Sequence, residues 1–396
     1  MMTHPLHHIL YPVSIEEFFE KYFEQDVLHI SRNHPDYYKD IFTSKELSLF
    51  LDRQDIFYPS IRMVQNGKEL SSNTYTIQNV SIGHHKKDGI IDTEKMFYHF
   101  NNGSTIVVQA AQRIFYNLNN ACGKIADYFK SPVQANMYVT PTRSVGFNPH
   151  WDTHDVFVLQ ITGTKTWHLF GTEKKLPVKG QTLDIKNFKK SPIKTIQLYP
   201  GDLLYVPRGY VHDAMSDDGI STHITVGVLA HTWLRLFQNA LSKLEDHEEL
   251  RSAIPFWKMQ DVNVTDKVKE LLSIISKLPL EKEIDSLAAK YKTIQPQQTS
   301  GYFESILLLD KTTGNTMFSL NRNVVFSTSE TDEQIRINFL GKALEFPIKM
   351  KEVLYYILNQ KEFSAGNLHT FLDVESANSL LKKLVKEGMI NIQENE

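Results

Sequence analysis

Gly146-Phe-Asn-Pro-His150-Trp151-Asp152, running on into Val156-Phe-Val-Leu-Gln160, is answered downstream by Pro200-Gly-Asp-Leu-Leu-Tyr-Val-Pro-Arg-Gly209 and His212. His150 and Asp152 stand two apart beside a strand-like run, and extended backbone points such a pair to one face. His212 follows the 203–206 run and its Pro207-Arg208-Gly209 turn, so an antiparallel neighbour can carry it to the same point. Two imidazoles and one carboxylate can occupy one face of an iron(II) ion and leave the opposite face open. An H-x-D pair also arises without a metal in a chain with 16 histidines. His154, Asp155 and Asp213 lie close by, and His223 offers a fourth nitrogen that would suit a cupin of another metal.

Around this set the sequence reads as β structure. Runs 133–139, 155–162, 165–170, 195–198, 203–206 and 222–228 are rich in Val, Ile, Thr and aromatics and are expected strands. Gly163-Thr164 reads as a hairpin turn, and Pro200-Gly201-Asp202 as a turn before a strand. Short strands at this spacing predict a sandwich or barrel. Before them, Ser14 caps a helix through Ile15, Phe18, Phe19 and Tyr22, with Glu17 as the second half of a capping box. Runs 27–30 and 61–64 read as strands, and 92–101 and 107–130 as helices.

After the strands, 233–251 and 262–278 return to helical spacing. Val264, Val268, Leu271, Leu272 and Ile275 form one apolar stripe, which reads as a core-facing helix, with a dimerising helical pair as the alternative. Gln295-Pro-Gln-Gln298 reads as a linker. Beyond it, strands at 324–327 and 334–339, helices at 349–359, 364–372 and 375–388, and a closing strand at 390–393 resemble a winged-helix module. Lys382, Lys383 and Lys386 stand on its third helix, yet residues 331–396 hold eight Lys/Arg against ten Asp/Glu. Phosphate neutralisation supplies most non-specific DNA affinity, so this balance points to structure or protein docking.

Bulk composition sets outer limits. A length of 396 residues predicts two to three domains, drawn here as 1–229, 230–294 and 295–396. Hydrophobic content of 41% fits a folded protein, and a net charge of -3 gives no pull toward polyanions. Cys122 is the one cysteine, which excludes a disulfide framework or Cys-rich metal site and points to a reducing cytoplasm. The first ten residues lack a basic and apolar leader pattern, and no run reaches 18 apolar residues. Neither secretion nor a membrane span is expected.

The ordered set Gln134-Ala-Asn-Met-Tyr-Val-Thr-Pro141, His150, Asp152, Val156 to Gln160, Gly163, Lys165, Trp167, Pro200 to Gly209 and His212 resembles the JmjC-type iron(II) and 2-oxoglutarate oxygenases. Within them it is most similar to the ribosomal-protein hydroxylases. Leu28-His-Ile-Ser-Arg32 with Tyr37-Tyr38, Leu250-Arg-Ser-Ala-Ile-Pro255 and the acidic C-terminal module fall in the same order, so the resemblance spans nearly the full chain.

It implies a mixed α/β chain with a double-stranded β-helix (cupin) core, a helical dimerisation region and a C-terminal winged helix. It also implies that His150, Asp152 and His212 hold Fe(II) and that 2-oxoglutarate and O2 are co-substrates. Lys165 matches the family's basic partner of the distal 2-oxoglutarate carboxylate, and Tyr138 the tyrosine that assists it. A carboxylate deep in a barrel needs such a cation and donor to offset desolvation. The alternative for Lys165 is an exposed hairpin. Asn136 matches an asparagine near metal or substrate, with a buried amide tying strands as its alternative, and Arg208 reads as a turn residue. The family often has a hydroxyl in the last core strand, at a place that aligns here with Gly227.

The activity implied is hydroxylation of a ribosomal protein at a histidine or arginine, by a homodimer without membrane or nucleic-acid partners. Competing readings are methyl-lysine demethylation or hydroxylation of a precursor peptide, a metal-dependent isomerase, and a winged-helix regulator whose cupin senses a ligand. Tyr37, Arg62, Arg143 and Trp151 are candidates for a substrate groove.

Overall fold

Alternation along the Val133–Thr140 strand sets the architecture. Val133, Ala135, Met137 and Val139 are buried on one side, while Gln134, Asn136 and Tyr138 are half-buried on the other. Period-two patterning of this kind makes one face of a sheet core and leaves the other for a different environment. The computed structural model describes residues 4–184, 188, 190–261, 263–294, 301–321, 326–339 and 342–393. These fall into two compact units, 1–291 and 292–396. The stretch read as a linker at 295–298 lies outside the described residues.

Two antiparallel sheets dominate the first unit among the described residues. The larger has eight strands in the order 28–30, 203–206, 155–162, 221–228, 133–140, 105–108, 61–65 and 68–69, and the smaller has three in the order 194–198, 165–172 and 210–216. Between them lies an inner core of Val156, Val158, Leu204 and Val206 from the larger sheet and Trp167, Leu169, Ile196, Leu198 and Tyr210 from the smaller. The outer face of the larger sheet packs Met137, Phe157, Tyr205, Ile224 and Val226 with helical residues such as Leu6, Phe18, Leu118 and Ile125. Each such fully buried side chain contributes about 1.5–3 kcal/mol. Mixed helix and sheet content around a two-sheet barrel agrees with the cupin expectation.

Several elements differ from the sequence reading. The helix expected over 107–130 is a strand, Thr105–Val108, followed by a helix, Tyr116–Phe129. The β-branched run Thr105-Ile106-Val107-Val108 pairs with both neighbouring strands, and Ala110 takes a left-handed conformation that breaks any continuous helix. The Tyr210–Ser216 strand, which carries His212, is absent from the sequence reading, because after Tyr210 its inward positions hold His212, Ala214 and Ser216 rather than large apolar residues. Ser14 accepts from the Glu17 N–H, but the Glu17 carboxylate reaches Lys21 at 3.0 Å instead of closing the box. Helix Val264–Ile275 has no buried residue, so its stripe does not face the core of this chain.

In the second unit, strands Met317–Leu320, Glu362–Ser364 and Ile390–Ile392 form one sheet, and Phe326–Glu330, Gln334–Phe339 and Lys342–Pro347 form a meander. Helices Lys351–Asn359 and Val374–Lys386 bury Leu354, Ile357, Leu380 and Leu384 against Phe318 and Phe363. Residues 365–370 form a tighter helical turn in place of the expected helix, opened by Ser364 and Asn367.

Arg32 closes the N-terminal segment onto the barrel. Its guanidinium donates to the carbonyls of Ile9, Tyr11 and Gly201 and to the Tyr38 hydroxyl, and it lies over the Tyr37 ring at 4.3 Å. Asp202 answers it, accepting from the Arg32 N–H at 2.9 Å and the Tyr199 N–H at 2.9 Å. Gly201, at φ +93, is required because a Cβ there would collide with the carbonyl of His34. Charged hydrogen bonds of this kind contribute about 1.5–3 kcal/mol each before desolvation is counted. Arg32→Ala is therefore expected to lower stability by about 3 kcal/mol, as measured by thermal unfolding, whereas Arg53→Ala, whose partner Asp55 is also exposed, leaves it essentially unchanged.

Candidate active site

Backbone pairing brings the three predicted ligands together. The His150 N–H donates to the His212 carbonyl at 3.0 Å, the His212 N–H returns the bond at 2.8 Å, and the Gly209 N–H donates to the Asp152 carbonyl at 3.0 Å. Ligand atoms of His150, Asp152 and His212 all lie within 4.8 Å of one another. The Nδ1 of His150 faces the Asn148 carbonyl at 2.8 Å, and that of His212 faces the Tyr210 carbonyl at 2.9 Å. A carbonyl only accepts, so each Nδ1 carries the proton and each Nε2 presents its lone pair inward, as metal-bound imidazoles do. Burial, joined by the nearby His150, pushes His212 down to about 4, which keeps it neutral. Burial pushes Asp152 up, but the electrostatic pull of the neighbouring His150, His154 and His212 rings outweighs it and holds it below the ordinary carboxylate range. Two imidazoles and an ionised carboxylate are a donor set that iron(II) accepts.

The same cavity, about 290 Å³ in volume, reaches Lys165. Lys165 shares its face with Trp167 and Leu169 on the 165–172 strand and is 2% exposed, which excludes the exposed-hairpin alternative. Its Nζ donates to the Thr140 hydroxyl at 2.9 Å, and among the described residues no carboxylate pairs with it. Burial pushes its pKa down to about 7. A buried ammonium without a counter-ion is costly unless a ligand supplies one. His223 lies beside it, held neutral by burial and by the Lys165 charge, and stacks on Tyr138 at 4.8 Å. Burial and the Asp152 carboxylate keep the Tyr138 phenol protonated.

Asn136, Tyr138, Thr225 and Arg62 line the rest of the cavity. The Asn136 Oδ1 accepts from the Ala110 N–H at 3.0 Å, so this amide also ties the 133–140 strand to the chain after 108. His223 stands outside the three-residue ligand cluster. Asp213 turns outward to His168 at 2.7 Å, and Asp155 points away from the cavity to Tyr205. Gly227 carries no hydroxyl and has no room for one, since a Cβ there would overlap the His154 ring. Of the proposed groove residues only Arg62 reaches the cavity: Tyr37 stacks on His8 and Arg143 pairs with Asp218. Thr140 was missed, although it shares parity with Asn136 and Tyr138 and alternation would have found it.

Residues 109–236 match the JmjC domain. The chain carries a JmjC domain. It is 30% identical over 308 residues to a Dictyostelium discoideum protein named bifunctional lysine-specific demethylase and histidyl-hydroxylase NO66, a match covering 72% of this chain and 58% of that relative. The chain thus spans less than two thirds of that relative's length. The crystal structure of the Escherichia coli ribosomal oxygenase YcfD is similar with a TM-score of 0.53 and 17% identity, covering 96% of this chain and 98% of YcfD. A YcfD structure with cobalt and 2-oxoglutarate matches with a TM-score of 0.51 and 17% identity, over 97% and 99% of the two chains. This likeness places the JmjC domain in a YcfD-like, cupin-type fold. Among the described residues no helix is long and apolar enough to cross a membrane.

The Lys165 geometry has a pH consequence. An unfolded lysine keeps its proton to about 10.5 and the folded, ligand-free one only to about 7, so the unfolded state binds more protons between those values. Stability of the ligand-free protein therefore rises with pH across that window. In Lys165→Met this rise should flatten, read as melting temperature at pH 7 and pH 9; equal pH slopes in both proteins would contradict the burial of an unpaired ammonium.

Proposed function

We propose that this protein is an Fe(II)- and 2-oxoglutarate-dependent protein hydroxylase acting on a histidyl or arginyl side chain of a ribosomal protein. The observation that carries the reading is one cavity with a two-His, one-carboxylate cluster and, along its wall, a buried lysine that no carboxylate pairs with among the described residues. Iron(II) and 2-oxoglutarate, when bound, supply the oxidation of a substrate C–H bond by dioxygen, with succinate and carbon dioxide as co-products.

The residues have separate tasks. His150, Asp152 and His212 hold the metal through two Nε2 atoms and one carboxylate oxygen, oriented by the Asn148 and Tyr210 carbonyls. Lys165 pairs with the distal carboxylate of the co-substrate, and that charge raises the ammonium's proton affinity back toward its ordinary value. Thr140 and the Tyr138 hydroxyl support this contact, and Asn136 and Arg62 face the substrate side. Trp167, Val156, Val158 and Val206 make the wall that excludes water. The NO66-like relative's name includes histidyl-hydroxylase and lysine demethylase, and the fold is that of a ribosomal oxygenase, which supports a protein substrate.

We also read the helical region as a dimerisation surface and the second unit as a winged-helix docking module. Val264, Val268 and Leu272 are about half exposed along one stripe, and Trp233 is 72% exposed at the start of the Trp233–Ser242 helix. Val268→Asp combined with Leu272→Asp should convert a dimer into a monomer by sedimentation while leaving the cupin folded; an unaltered mass would remove the dimer from this reading. For the activity, purified protein with iron, ascorbate and a ribosomal protein extract should release succinate and add one oxygen, about 16 Da, to one protein. His150→Ala should lower succinate release by at least about 100-fold. Loss of a methyl group instead would indicate demethylation, and identical behaviour of the variant would end the oxygenase reading.

A further inference from the structure

Asp155 is wholly buried, faces away from the cavity and has no part in the mechanism above. It nevertheless sits between the two pieces of chain that carry the ligands. The Tyr205 hydroxyl donates to its Oδ1 at 2.6 Å and itself accepts from the Glu24 N–H at 2.9 Å. The Arg208 N–H approaches the same Oδ1 at 3.4 Å, and the Arg208 Nε lies 3.9 Å from Oδ2. The Arg208 guanidinium is paired on its other side with Glu24. Asp155 begins the strand three residues after Asp152, and Arg208 lies in the turn four residues before His212.

We propose that Asp155 is a positioning residue: with Arg208, Tyr205 and Glu24 it clamps the 150–155 segment to the 207–212 turn and so sets the spacing of the metal ligands. This rests on the reading of His150, Asp152 and His212 as a metal site. The backbone already links the segments at 150 with 212 and at 152 with 209, and Asp155 is the next tie along the same seam, made by a side chain. A buried carboxylate 3.9 Å from a buried guanidinium attracts it while both are charged, and the Tyr205 hydroxyl supplies the directional hydrogen bond to the same carboxylate. The charged or titratable groups facing Asp155 are Tyr205, Glu24 and Arg208, and burial raises its pKa to about 6. Above that pH the clamp is an ion pair; below it Asp155 takes up a proton and the tie to Arg208 weakens.

The test is titration of Mn(II) into the metal-free full chain, with free Mn(II) read by electron paramagnetic resonance, for the natural protein, Asp155→Asn and Tyr205→Phe. At pH 7.5, Asp155→Asn should bind about tenfold more weakly, the lower end of what loss of supporting partners does to metal affinity. At pH 5.5 the gap should narrow to about threefold, because most of the natural Asp155 then carries a proton of its own. Taking the ratio removes the titration of the ligands themselves, and a merely structural loss would leave it constant. Tyr205→Phe keeps the carboxylate but removes a donor, so its affinity should begin to fall at a higher pH than in the natural protein, even if Asp155→Asn does not fold. Equal affinities at pH 7.5, or a ratio that does not change with pH, would overturn the clamp. Absence of Mn(II) binding by the natural protein would instead overturn the metal-site reading, and the clamp with it.

Discussion

Two backbone hydrogen bonds between residues 150 and 212 are the constraint on which the rest of the site depends. They join the loop before the 155–162 strand to the 210–216 strand, which belong to different sheets. Everything placed around the cavity follows from that seam. Once His150 and His212 are opposite each other, their Nδ1 atoms find local carbonyls and their Nε2 atoms converge. The Pro207-Arg208-Gly209 turn is then fixed as well, since the Gly209 N–H bonds to the Asp152 carbonyl. Glycine at 209, with φ +84, is required because a Cβ there would meet the Lys174 carbonyl.

The second organising feature is the contrast between the two ends of the cavity. At the His150, Asp152 and His212 cluster an ionised carboxylate stands beside imidazole rings. Farther along the wall, Lys165 bonds to the Thr140 hydroxyl and to no carboxylate among the described residues, and the neighbouring His223 is neutral. An apolar barrel tolerates such an ammonium when an anion arrives with its ligand. The inner core of Trp167, Leu169, Val156 and Val206 keeps the surroundings dry, which strengthens any ion pair formed there.

Part of this is legible in the sequence. The 155–162 and 203–206 strands follow from β-rich runs bounded by turn residues, the shared face of His150 and Asp152 follows from their two-residue spacing, and the place of Tyr138 comes from the family resemblance. What escaped was physical in origin. The 210–216 strand hides because only Tyr210 among its inward positions is large, the others being His212, Ala214 and Ser216. Val107 and Val108 fall into the expected 107–130 helix, although they end the Thr105–Val108 strand, because a short buried run has no period of its own. The face of Lys165 could not be read across Gly163-Thr164, yet pairing of Lys165 with Leu198 and Ser216 fixes it inward. The apolar stripe of 264–275 was read as core because periodicity reports a face and says nothing about what covers it.

The central claim is that one cavity binds a metal through His150, Asp152 and His212 and a dicarboxylate through Lys165. Its most direct measurement is anaerobic titration of 2-oxoglutarate into the iron(II)-loaded protein, following the visible charge-transfer absorption of the chelate. The natural protein should develop this absorption at a 1:1 ratio, His212→Ala should fail to develop it, and Lys165→Met should need at least about tenfold more 2-oxoglutarate. Absorption that develops equally in all three proteins would contradict the account.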